Sequence, residues 1–146
     1  MPEPTTPQKI VILPCDIEKM RLDVTRRLPE EACGLLGGNY KGGSAYSMAV
    51  IPTTNEVHSP VKYRAEPKEQ YEAFVWFETR GMELIGIYHS HPTGPSIPSS
   101  TDIIEAYYPG VVHLIWSRPD GDWICRAFLI QERLASEVEI LTPAPE

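Results

Sequence analysis

The stretch Leu84-Ile85-Gly86-Ile87-Tyr88-His89-Ser90-His91-Pro92 limits what this chain can fold into more than any other. Its apolar run over 84–88, entered from Gly81 and left at Pro92, suits a strand buried on both faces. Side chains at i and i+2 of a strand point the same way, so His89 and His91 offer two imidazoles at the strand's end. Neutral imidazole is a common zinc ligand. Pro92, Pro95 and Pro98 follow, and their fixed φ lowers the entropic cost of a loop that returns to its start. The return falls at Ser99-Ser100-Thr101-Asp102, ahead of a helix expected over 103–107. Ser-x-x-Asp is by itself a helix capping pattern. Ser99 can serve both as a cap and beside a metal, whereas Asp102 is expected not to do both jobs with one oxygen. His89, His91 and Asp102 together form a candidate zinc site with three protein ligands.

Upstream, Pro29-Glu30-Glu31-Ala32-Cys33-Gly34-Leu35-Leu36-Gly37 reads as a strand over 31–37 that opens on a charge. Such a glutamate is ordinarily a solvated strand end. His89-Ser90-His91-Pro92, with Ser99 and Asp102, resembles the JAMM (MPN+) metalloprotease signature His-x-His-Pro-x6-Ser-x2-Asp. The upstream stretch resembles that family's Pro-x-Glu-x-Cys-Gly segment and aligns Glu31, not Glu30, with its glutamate. The similarity runs from about Asp16 to Gln131.

The resemblance implies a mixed α/β fold, a curved mixed sheet flanked by helices, similar to cytidine deaminases. It implies one Zn2+ per chain on His89, His91 and Asp102, with water as fourth ligand. Glu31 would be the acid/base and Ser99 the oxyanion donor. Ser90 faces away and is read as structural. The implied activity is hydrolysis of an amide or isopeptide bond at the Gly-Gly tail of a ubiquitin-like protein. The alternatives are a peptidase releasing cysteine or another amino acid from a small sulfur-carrier protein, and a non-catalytic MPN scaffold. Residues 55–64 resemble the sulfur-carrier-processing members. A deaminase would need His-x-Glu and Pro-Cys-x-x-Cys, which are absent. An extended substrate tail is expected to add along a sheet edge.

At 16.4 kDa the chain suits one domain over 1–146, with 1–7 and 142–146 as loose tails. Its net charge of −7 argues against a nucleic-acid partner. No run approaches a membrane span, and 1–7 lacks the form of a secretory signal, so a cytoplasmic location is expected. Cys15, Cys33 and Cys125 form neither a disulfide framework nor a Cys-x-x-Cys site. Strands are expected over 9–13, 46–51, 111–117, 123–131 and 137–141, the last as an edge. The glycine-rich 37–43 is expected to be a hairpin loop. One helix is expected with Asp16 as N-cap and Ile17, Met20, Val24 and Leu28 as its stripe, closed by Pro29. A second should begin at Pro67, with Tyr71, Phe74 and Val75 on its apolar side. Trp76 and Phe77 suit core or interface packing, which leaves a homodimer open. His58 reads as a surface or substrate-side loop residue, and His113 as packed.

Overall fold

The computed structural model describes residues 6–143. Seven strands and three helices run in the order β1 (Lys9–Val11), α1 (Pro14–Arg27), β2 (Cys33–Lys41), β3 (Ser44–Thr53), α2 (Pro67–Thr79), β4 (Glu83–His91), α3 (Ser100–Ile104), β5 (Val112–Ser117), β6 (Ile124–Gln131) and β7 (Leu134–Leu141). The lateral order is β1-β3-β2-β4-β5-β6-β7. The sheet is mixed, as expected, but it closes: three-residue β1 pairs in parallel with both β3 and β7. The expected curved mixed sheet is thus observed as a closed barrel. β7 is not an edge over Glu139–Leu141, where β1 pairs with it, but β1 covers only Ser44–Tyr46 of β3, so among the described residues the rest of β3 keeps one side without a strand partner.

A row across the sheet, Gly34, Tyr88, Leu114, Ala127 and Val138, faces α1, whose Met20 and Val24 are fully buried against it. The opposite face carries Leu35 and Ile87 and packs α2 through Ala73 and Phe77. That face of α2 differs from expectation. Tyr71 is 69% exposed and Val75 42%, because the aromatic residues lie on more than one side and the buried face runs through Ala73 and Phe77.

The hairpin also differs. β2 runs through the glycines to Lys41, and only Gly42 and Gly43, both at positive φ, make the turn. This is the two-residue geometry that matches strand twist. Gly37 belongs to the strand because the Phe77 ring occupies the space of its missing side chain. α1 begins at Pro14 with Leu13 as N-cap, not at Asp16. Asp16 is buried in the first turn, where it accepts from Ser47 Oγ at 3.3 Å. Residues 1–5 and 144–146 of the expected tails lie outside the described residues, and Pro7 is buried.

Gly34 faces Tyr88, whose ring fills the space over it and whose hydroxyl donates to Asp23 of α1 at 2.7 Å. Tyr88 is fully buried and cannot move aside. Gly34→Ala is expected to destabilise the protein by about 1–3 kcal/mol or more by overpacking. Urea unfolding of the purified variant checks it, and an unchanged midpoint would contradict the packing described.

Candidate metal and catalytic site

β4 lies between β2, antiparallel, and β5, parallel. Parallel neighbours need a crossover, and residues 92–111 make it. At the carboxyl end of β4, His89 is fully buried and His91 is 6% exposed. Their Nε2 atoms stand 3.0 Å apart. Asp102 Oδ2 lies 3.0 Å from His89 Nε2 and 3.1 Å from His91 Nε2. The loop that brings Asp102 back is held at three points. His91 Nδ1 meets the Pro95 carbonyl at 2.8 Å, Ser96 and Ser117 hydroxyls meet at 2.6 Å, and Ser99 caps α3. The helix itself is shorter and earlier than expected, Ser100–Ile104.

The capping box is reciprocal: Ser99 N–H donates to Asp102 Oδ2 at 2.8 Å, and Asp102 N–H donates to Ser99 Oγ at 3.0 Å. The same Asp102 oxygen thus serves the helix cap and faces both imidazoles, against expectation. A carboxylate oxygen has two lone pairs, so one N–H and one cation can share it.

This donor set fits a metal ion. Tetrahedral ligands at zinc distances of about 2.0–2.1 Å stand about 3.3 Å apart, close to the observed triangle. His91 Nδ1, donating to Pro95 O, leaves Nε2 as a lone pair in the neutral ring, the usual outer-shell arrangement of a ligating histidine. Burial would raise the Asp102 carboxyl, but hydrogen bonds from His89, His91 and the Ser99 N–H outweigh it and hold the group well below the usual carboxylate range. One donor atom from each of Glu31, His89 and His91 also falls within 4.8 Å of the others, all three side chains being buried. Asp102 is nearer to the imidazoles than Glu31, so the two carboxylates are distinguished by distance.

Glu31 is 5% exposed, not a solvated strand end, and it precedes β2 instead of opening it. Burial, reinforced by the Asp102 anion and opposed by His91, pushes its carboxyl up to about 8. Ser90, pointing away from the imidazoles, accepts from the Ala32 N–H at 2.7 Å, and its own N–H donates to Ala32 O at 3.0 Å. It thereby fastens the glutamate segment to β4. Glu31, His91 and Ser99 line a cavity of about 220 Å³ with Pro60, Val61 and Pro95. Cys33, paired with His89 across the sheet, is buried; burial pushes its thiol up to about 11. His58 is exposed and meets Glu30 at 2.9 Å. His113 is packed, with Nε2 lacking a partner among the described residues. Sequence reasoning passed over Tyr63, whose ring stacks on His89 with centroids 4.5 Å apart. No local pattern marks such a contact.

The family described as prokaryotic homologs of the JAB domain matches residues 16–130. The chain belongs to that family. This is the JAMM (MPN+) grouping that the two motifs resemble. A desampylase of Haloferax volcanii is 38% identical over 94 residues, 64% of this chain and 66% of its own length. A probable TtuB-protein conjugate cleaving protease of Thermus thermophilus is 38% identical over 117 residues, 80% of this chain and 72% of its own. A CysO-cysteine peptidase of Mycobacterium bovis is 32% identical over 112 residues, 76% of this chain and 75% of its own. A solution structure from Desulfitobacterium hafniense superposes with TM-score 0.84 at 33% identity, covering 93% of this chain and 94% of that one.

The buried Glu31 carboxyl has a consequence in chelator-treated protein. Its folded value, about 8, lies above the ordinary 4.5. A raised carboxyl favours folding fully below the ordinary value, and that contribution is lost as pH rises towards 8. Glu31→Gln should therefore raise the melting temperature at pH 8 and leave it nearly unchanged at pH 4. Thermal unfolding followed by circular dichroism decides; equal shifts at both pH values would sink the account.

Proposed function

We propose that this protein is a zinc-dependent metalloprotease that hydrolyses the amide or isopeptide bond at the Gly-Gly tail of a ubiquitin-like protein, as a cytoplasmic enzyme of one JAMM domain. The observation that carries the reading is the convergence of His89 Nε2, His91 Nε2 and Asp102 Oδ2 within 3.1 Å of one another, with the buried Glu31 carboxyl beside them. His89, His91 and Asp102 are the zinc ligands; three protein ligands leave a position for water, the mark of a catalytic site. Bound zinc supplies a Lewis acid and lowers the pKa of water to about 7. Glu31 takes the proton of the attacking water and passes it to the leaving nitrogen, working from its buried position beside the imidazoles. Ser99 Oγ already accepts from Asp102 N–H, so its own hydroxyl proton is free to donate to the developing oxyanion.

The named relatives support two substrate types. The desampylase and the TtuB-conjugate protease favour a protein conjugate. The CysO-cysteine peptidase favours the second reading, release of cysteine or another amino acid from a small sulfur-carrier protein. Zinc-loaded protein incubated with an isopeptide conjugate and with a carrier bearing a C-terminal cysteine, then weighed intact, separates the two. Failure to cleave either would remove both.

Among variants, His89→Ala should lose zinc and turnover together. Glu31→Gln should keep zinc yet lose about 10²-fold or more in kcat. Ser99→Ala should lose about 10²–10³-fold. Metal content by elemental analysis, with kcat per bound zinc, checks all three; full activity in Glu31→Gln would overturn its role.

A further inference from the structure

The 54–66 segment has little regular structure, its one ladder contact being the bridge between Asn55 and Ala65. Yet Asn55 is only 1% exposed, and its amide is fully engaged with main chain. Nδ2 donates to Glu31 O at 3.0 Å and to Lys62 O at 2.9 Å, with Ser59 O at 3.5 Å. Oδ1 accepts from the N–H of Val57 at 3.2 Å and of Arg64 at 3.1 Å. Carbonyls on one side and N–H groups on the other fix the amide's orientation. Two of these partners, Lys62 and Arg64, flank Tyr63, whose ring lies on His89 at an interplanar angle of 23°.

Another partner is the main chain of Glu31 itself. Among the described residues none hydrogen-bonds the Glu31 carboxylate, so that group is placed by its backbone. The backbone is held at its N–H by Ser59 O at 2.8 Å and at its carbonyl by Asn55. Taking Glu31 and His89 in the roles proposed above, we infer that Asn55 is the positioning residue of this site. One buried amide holds both the Glu31 main chain and the Tyr63 ring on His89, and so sets the distance from the proton-transferring carboxylate to the metal pocket. Displacements of about 1 Å at a reacting centre can cost about 10²-fold in rate, and outer-shell partners of metal ligands commonly contribute about 10–100-fold in affinity or activity.

Asn55→Asp keeps the shape and the acceptor and removes both donors. It is expected to lower kcat per bound zinc by about 10–100-fold with little change in KM. It should also weaken zinc in chelator competition by about tenfold and shift the visible spectrum of the cobalt-substituted protein. Glu56→Gln, which breaks only a loop ion pair with Arg64, should leave all three unchanged. An Asn55→Asp protein that melts earlier but keeps wild-type kcat, zinc affinity and cobalt spectrum would overturn the assignment. Should that variant fail to fold, Tyr63 decides. Tyr63→Phe should keep wild-type zinc affinity and spectrum and Tyr63→Ala should lose them, while wild-type values in Tyr63→Ala would overturn it. Affinity and spectrum are read without substrate. Variants that move both while the wild type cleaves no carrier would count against the substrate reading and not against Asn55.

Discussion

One oxygen, Oδ2 of Asp102, ties this site together. It receives the Ser99 amide that starts α3 and faces the imidazoles that end β4. Helix start, loop return and donor triangle are therefore a single local arrangement. Moving the carboxylate would uncap the helix, and uncapping the helix would move the carboxylate. A short helix of this kind has little stability of its own, so its cap and its neighbours must supply it.

The barrel makes the other half of the site dependable. Glu31 sits ahead of β2, and β2 is paired with β4 from Cys33 to Gly38. Ser90, lying between the two histidines, bonds both main-chain groups of Ala32. Glu31 is thus fastened beside the strand that carries His89 and His91, while Asp102 is returned to them by α3. Tyr88, one residue before His89, anchors the same strand to α1 through Asp23. Rigid elements hold catalytic groups more closely than loops do.

What the sequence disclosed and what it hid divide along range. His89 and His91 share a face by strand period, and Ser99 and Asp102 sit at capping spacing; their combination made four candidate-site residues legible from patterns a few residues long. Glu31 needed the family motif, because a charged strand start looks alike whether wet or buried. Asn55 and Tyr63 were not legible: the site residues they reach, Glu31 and His89, lie far from them in the chain, Asn55's other partners are its own loop, and an asparagine in a loop has many ordinary reasons to be there. Barrel closure was hidden for a related reason. β1 is three residues long, and its pairing is decided by the strands it meets. On α2, aromatic residues on several sides blurred the stripe, and the small Ala73 gave no signal of being buried.

The protonated state of Cys33 bears on which ions the pocket can accept. The sulfur pairs across the sheet with His89, yet with its thiol raised to about 11 it is not a thiolate at neutral pH. The donors gathered at the candidate site are two imidazole nitrogens and a carboxylate oxygen, a borderline set. Cys33 Sγ is engaged instead by Thr53, whose Oγ1 lies 3.3 Å away. Capturing a soft cation such as cuprous copper would require Cys33 to give up both its proton and its place against Thr53.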